Sequence, residues 1–147
     1  MKIDIHNHFY PDKFLKQLEK EGPTVGLSVE KDEWDRQILV QHGTRVVTLT
    51  PPMTDVNQRL EDMDQAGFDT QILTLTAPSV DIFPIEKGET LAGIVNDEIA
   101  RIYHDHPDHF MGLATLPFID PDRTIKELER CIDDLKFKGA CIGTNIN

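Results

Sequence analysis

The sequence predicts an α/β protein built on a mainly parallel sheet. From Pro51 and Pro52 onward, short apolar runs alternate regularly with helical stretches whose apolar positions recur every three or four residues. Each helical stretch carries its own punctuation: Thr54 before the first and Gly67 after it, Pro107 after the second, and Asp120 with Pro121 before the third. No low-complexity segment or linker interrupts the alternation. Two architectures share this pattern. A doubly wound sheet could be nearly complete in 147 residues, whereas a (β/α)8 barrel needs about 250, so four strands would be half of one. No Gly-x-Gly-x-x-Gly or Gly-Lys-Ser/Thr loop favours a nucleotide fold, and periodicity does not separate the two.

The first strand is expected over Ile3 to His8, with Ile3 and Ile5 on one side and Asp4, His6 and His8 on the other. Pro11 then starts a helix carrying Phe14, Leu15 and Leu18, closed by Gly22. Residues 24–49 break the pattern. "TVGLSVE", "RQILVQ" and "TRVVTLT" are β-rich runs separated by charged or glycine-containing turns, so a small antiparallel insertion is expected, with His42 and Gly43 in one of its turns. Trp34, the single tryptophan, is expected to be a packing residue.

After the insertion, Thr54 is expected to cap a helix bearing Val56, Leu60 and Met63. "TQILTLTA" (70–77) reads as a strand, and Leu91, Ile94, Val95, Ile99 and Ile102 mark one face of a longer helix. "MGLATLP" (111–117) is the next strand. A helix capped by Asp120 follows, with an apolar stripe of Ile125, Leu128, Ile132 and Leu135. "GACIGTNIN" (139–147) reads as a fourth parallel strand.

Composition removes several functional classes. Charged residues make up 28% and the net charge is −11, which opposes association with nucleic acid or an anionic membrane. The opening residues include Lys2 and Asp4 and no long apolar stretch, so no signal peptide is expected. No run approaches the roughly 18 apolar residues of a membrane span. Cys131 and Cys141 are ten apart, outside any Cys-x-x-Cys arrangement, and read as reduced, buried thiols suited to the cytoplasm.

His6 and His8 carry the chemistry. Residues two apart in a strand project to the same side, and their imidazoles can converge on one ion at Zn–N distances of about 2 Å. The pair falls at the C-terminal end of the first strand, which is the active face of parallel α/β folds. A second cluster, His104, His106 and His109, sits where a helix ends and before a strand begins. That is the opposite, structural face, and the cluster is read as a solvated helix end.

Four collinear blocks carry a resemblance: "KIDIHNHFYP", "RLEDMDQAGFDTQILTLTAP", "HPDHFMGLATLPFIDPDRTIKELERCI" and "FKGACIGTNIN". Together they resemble the amidohydrolase-related family that includes aminocarboxymuconate-semialdehyde decarboxylase and the decarboxylases of γ-resorcylate and other hydroxybenzoates. The resemblance implies that residues 1–147 form the N-terminal half of a (β/α)8 barrel domain, four β/α units with residues 24–49 inserted after the first strand. It implies one Zn²⁺, or Mn²⁺, with His6 and His8 as two of its ligands. The family's other ligands and catalytic residues are a His on the fifth strand, a His on the sixth and an Asp on the eighth, so the catalytic residues are expected outside this chain. Arg45, in "GTRVV", matches an arginine that binds a substrate carboxylate in the aminocarboxymuconate-semialdehyde branch.

The implied activity is metal-dependent, non-oxidative decarboxylation of a small carboxylic acid by an enzyme of which this chain is one part, and the unpaired first and fourth strands of a half barrel predict a homo-oligomer. Metal-dependent hydrolysis of an ester, lactone or amide is the alternative enzyme chemistry. An inactive metal-binding or assembly module is the alternative outside enzymes. This chain alone is expected to be inactive, because a catalytic zinc needs three protein ligands.

Overall fold

The computed structural model describes residues 1–143. Three parallel strands form the main sheet: β1 (Ile3–His8), β5 (Thr70–Thr74) and β6 (Phe110–Gly112), in the order β1-β5-β6. Helices α1 (Asp12–Glu21), α2 (Val56–Ala66), α3 (Ile85–Asp105) and α4 (Pro121–Asp133) lie between or after them. A second, antiparallel sheet of β2 (Leu27–Lys31), β3 (Gln37–Gln41) and β4 (Thr44–Thr48) follows α1, as expected of the insertion. Its β3–β4 turn is His42-Gly43, with φ of 49° and 79°. Two successive positive φ values are what a two-residue hairpin turn of matching twist requires.

The core lies between the main sheet and the helices. Tyr10, Phe14, Leu18, Leu73, Leu91, Val95, Ile99 and Phe110 are fully buried within it. Leu91, Val95, Ile99 and Ile102 form the inward stripe of α3, as their spacing predicts. None of the helices is long and apolar enough to cross a membrane among the described residues.

Several expectations change. Asp55, not Thr54, caps α2: its carboxylate accepts from the Asn57 and Gln58 amides at 2.8 and 3.4 Å. Thr54 belongs to the turn after a short 3-10 segment and bonds back to Pro51. The apolar stripe of α4 is also displaced. Ile125 and Ile132 are 54% and 39% exposed, while Glu127 and Cys131 face inward. At about 100° per residue, positions 125 and 132 lie roughly a quarter turn from the face shared by 128, 131 and 135. Trp34 is not buried; it stands 64% exposed with the Arg36 guanidinium 4.6 Å above its ring.

The strand expected over 111–117 keeps ladder pairing only to Gly112. The fourth strand is represented among the described residues by a single parallel bridge, Ala114 to Ala140. Flanking bonds run from Ala114 N–H to Gly139 O (2.9 Å) and from Cys141 N–H to Ala114 O (3.0 Å). Residues 144–147 of that expected strand lie outside the described residues. The expected division of β1 into two faces does not hold: Ile3 pairs with Thr70 and His8 with Thr74, four residues apart on β5, so Ile3 and His8 lie on one face because β1 carries an extra residue between them. Ile3 and Ile5 are 42% and 70% exposed on the edge strand of the main sheet.

Candidate metal centre

β1 is not a regular strand. Asp4 pairs with Gln71 and Asn7 pairs with Leu73, so β1 holds one more residue than β5 across this stretch. Such a bulge re-aims side chains. Asn7 turns inward and is 8% exposed, while His6 is exposed and His8 half-buried on either side of it. The two imidazoles meet edge to face, with ring centroids 4.7 Å apart. Their Nε2 atoms are 3.1 Å apart.

That separation suits a shared cation. Two metal–nitrogen bonds of about 2.05 Å span roughly 2.9 Å at a right angle and roughly 3.3 Å at the tetrahedral angle. Without a metal the same contact is an imidazole–imidazole hydrogen bond whose direction depends on the tautomers. Burial lowers the pKa of His8, and the nearby His6 and the Arg59 charge lower it further. His8 is therefore neutral near pH 7, the form that ligates. Its Nδ1 is buried without a partner among the described residues.

The pair lines a cleft of about 500 Å³ at the C-terminal ends of the parallel strands, with Thr76, Asp81, Thr115, Phe118 and Cys141 on its other walls. A larger groove of about 610 Å³ runs past Asp97, Arg101 and Lys136 on α3 and beyond the end of α4. It lies on the helix layer. Ligands of parallel sheets bind at strand ends, so the smaller cleft is the candidate site.

The remaining candidates fall elsewhere. His104 is 92% exposed at the end of α3, and His109 precedes β6, at the opposite end of the sheet from His8. No three His, Cys, Asp or Glu residues are placed to hold a metal among the described residues. His6 and His8 thus fit a divalent cation as two of the three protein ligands that a catalytic site uses. Arg45 stands on β4, about half exposed and 3.5 Å from Asp32, and does not line the cleft. Asp32 itself is held by Arg36 at 2.6 and 2.9 Å. Cys131 is buried as expected, and burial pushes its thiol up to about 12. Cys141 is only partly buried, because it forms part of the cleft wall.

Two residues behind the pair were not singled out in the sequence. Arg59, 5% exposed on α2, donates to Asn7, His8, Gln71 and Pro52. Desolvation lowers its pKa to about 10, against the opposing pull of Asp4 and Asp62, so it stays charged at neutral pH. The signal was available: Arg59 lies three residues after Val56 and four before Met63, which is the spacing of the apolar face. Asn7 gave a weaker one, a polar residue between two histidines.

The chain is 42% identical over 85 residues to γ-resorcylate decarboxylase of Rhizobium radiobacter, covering 57% of this chain and 26% of that protein. It is 28% identical to 2-amino-3-carboxymuconate-6-semialdehyde decarboxylase of Dictyostelium discoideum, over 100% of this chain and 41% of the relative. Its fold superposes with a TM-score of 0.64 and 28% identity on a dihydroxybenzoic acid decarboxylase from Polaromonas, solved with bound manganese and the inhibitor 2-nitroresorcinol. That match covers 95% of this chain and 37% of the other. The chain therefore spans less than half the length of each of these proteins. The amidohydrolase family model matches residues 3–147, nearly the whole sequence, and the chain belongs to that family.

Proposed function

We propose that this chain supplies the first-strand metal ligands, His6 and His8, of a metal-dependent, non-oxidative decarboxylase acting on a small aromatic or related carboxylic acid. The observation that carries the reading is the 3.1 Å approach of the two Nε2 atoms in a strand-end cleft. The names of the relatives support the reaction class, and the manganese-bound neighbour supports a divalent cation, Mn²⁺ or Zn²⁺. The chain takes the place of the first four β/α units of a (β/α)8 barrel: β1, β5, β6 and the segment bridged at Ala140 would be four successive barrel strands.

When bound, the metal supplies Lewis acidity toward substrate oxygens. His6 and His8 would hold it on the cleft side of β1, and Thr76, Ser79, Asp81 and Thr115 are among the polar residues of the cleft that a ligand would meet. Arg45 is proposed as the group that binds a substrate carboxylate. Chemistry supports this more than location does, since a guanidinium can meet a carboxylate with two parallel hydrogen bonds. Self-association is proposed from the open edge of β1.

The metal reading is tested by titrating the chain with Zn²⁺ and Mn²⁺, beside a His6→Ala, His8→Ala double variant. Weak binding that disappears in the double variant is expected. Tight binding that survives it would reject the pair and point to the His104 cluster.

A further inference from the structure

Arg59 is a buried cation whose hydrogen-bond acceptors are all neutral among the described residues. Its Nε donates to Pro52 O at 2.7 Å, and its Nη1 to Gln71 Oε1 at 2.8 Å and Asn7 Oδ1 at 3.2 Å. Its Nη2 donates to His8 O at 2.8 Å. Among the described residues no carboxylate lies within ion-pair distance of it. A buried charge with no carboxylate bonded to it is a costly packing element even with Asp4 and Asp62 in the vicinity, since an apolar side chain of similar volume would fill the space without desolvation.

The destinations of the bonds explain its presence. Three of the four acceptors are on the bulged stretch of β1 or on its partner strand: the Asn7 side chain, the His8 carbonyl and Gln71, which pairs with Asp4 where the bulge begins. Asn7 is held a second time, its amide donating to Asp4 O at 2.8 Å. Drawing Asn7 inward forces its two neighbours to the other side of the strand. The His8 carbonyl, fixed from behind by the same guanidinium, sets the direction from which its ring leaves the backbone.

We propose that Arg59 is a positioning residue for the histidine pair: by clasping Asn7 and the His8 carbonyl together, it fixes the bulge so that both imidazoles present Nε2 to one cation. The proposal rests on the metal reading above, and its test separates the two.

The chain is compared with Arg59→Lys, which keeps the charge but loses the fork, and with Asn7→Ser, which keeps Arg59 and removes one clasped group. Met63→Val, on the same helix, serves as a packing control. Two readouts are taken on each: the Zn²⁺ dissociation constant, and the nuclear Overhauser contact between the two imidazole rings in the metal-free chain. Arg59→Lys is expected to weaken Zn²⁺ binding about tenfold or more, the range over which partners that orient metal ligands act. It should also abolish the ring–ring contact, with helix and strand content retained by circular dichroism. Asn7→Ser should move both readouts the same way by less, and Met63→Val should lower thermal stability while moving neither.

If the unsubstituted chain binds no Zn²⁺ but Arg59→Lys still abolishes the ring contact, the metal reading fails and the positioning role stands. If Zn²⁺ binds and folded Arg59→Lys or Asn7→Ser leaves both readouts unchanged, the positioning role is overturned. Should Arg59→Lys not fold, Asn7→Ser decides by the same two readouts.

Discussion

The side chain of Asn96 pairs with the backbone of Thr115 in both directions. The Thr115 N–H donates to Asn96 Oδ1 at 2.8 Å, and Asn96 Nδ2 donates to Thr115 O at 2.9 Å. A helix residue thus takes the place of a neighbouring strand just beyond the last ladder pair of β6, and it holds Thr115 on the wall of the cleft. Asn96 is completely buried and Thr115 is 5% exposed, so water cannot substitute easily. Removing the amide orphans two buried backbone groups, each worth about 1–3 kcal/mol. Asn96→Leu is expected to lower the unfolding free energy by about 3 kcal/mol in urea denaturation. A loss below about 1 kcal/mol would mean that the Thr115 backbone finds other partners.

The same amide reaches Glu127, donating to its carboxylate at 2.7 Å, and Arg130 donates to that carboxylate at 2.7 and 2.8 Å. Burial alone would raise the pKa of Glu127; the bonds from Arg130 and Asn96 outweigh it, and the net shift is downward from 4.5. The unfolded chain therefore binds this proton more readily than the folded one, and stability rises with pH across the interval between the two values. The contribution is complete above 4.5 and is lost as pH falls through the lower, folded value. Glu127→Gln is expected to reduce stability at pH 7 and to flatten the acid limb of the stability curve below that point. An acid limb of unchanged slope in chemical denaturation would remove Glu127 from the account.

Much of this was legible in the sequence because it depends on local chemistry. The helix spacing of α3, the glycine after α2, the His42-Gly43 turn and the Asp120 cap each follow from one or a few adjacent residues. His6 and His8 were legible for the same reason: two residues apart on a strand is a local relationship, and the bulge did not separate them. What escaped reading depends on contacts far apart in the chain. Arg59 meets Asn7 across 52 positions, and Asn96 meets Glu127 across 31. Both are polar residues on apolar faces whose partners no period reveals. Glu127 misled the reading of α4 in the same way, because a carboxylate satisfied by Asn96 and Arg130 faces inward while Ile125 and Ile132, which the spacing placed on the inner stripe, are exposed.

The outer edge of β1 makes association measurable. Ile5 is 70% exposed and Ile3 42% on an edge strand, a combination that invites pairing with another chain. The chain is expected to sediment as a concentration-dependent oligomer, and Ile5→Lys should shift it toward monomer by placing a charge on that edge. A monodisperse monomer at all concentrations in analytical ultracentrifugation would dismiss the edge as an interface.

Carboxylate recognition separates decarboxylation from hydrolysis, because both chemistries can employ the same metal and the same two histidines. A decarboxylase acting on a dicarboxylate must hold one carboxylate while the other leaves as CO2; an ester or lactone hydrolase has no such general need. Arg45 is the guanidinium proposed for that task. Among the described residues its one ionic contact, with Asp32, is long at 3.5 Å, and Asp32 is already bound by Arg36. Substituting lysine preserves the charge and loses the planar fork, so the change should be costly if a carboxylate is gripped there and almost silent if Arg45 merely decorates the insertion sheet. A charge-assisted hydrogen bond of this kind is worth about 1.5–3 kcal/mol, which is roughly ten- to a hundredfold in kcat/KM. The assay is CO2 release by the metal-loaded enzyme of which this chain is proposed to form part, from hydroxybenzoates and aminomuconate-type acids, run beside a panel of esters and lactones. Decarboxylation that drops by that factor in Arg45→Lys, with the melting temperature unchanged, is the expected result. CO2 release untouched by Arg45→Lys would free Arg45 from the site, since nothing in the cleft itself places it there. Ester or lactone turnover without CO2 release would replace the decarboxylase reading with hydrolysis and leave His6 and His8 as the ligands of a hydrolytic metal.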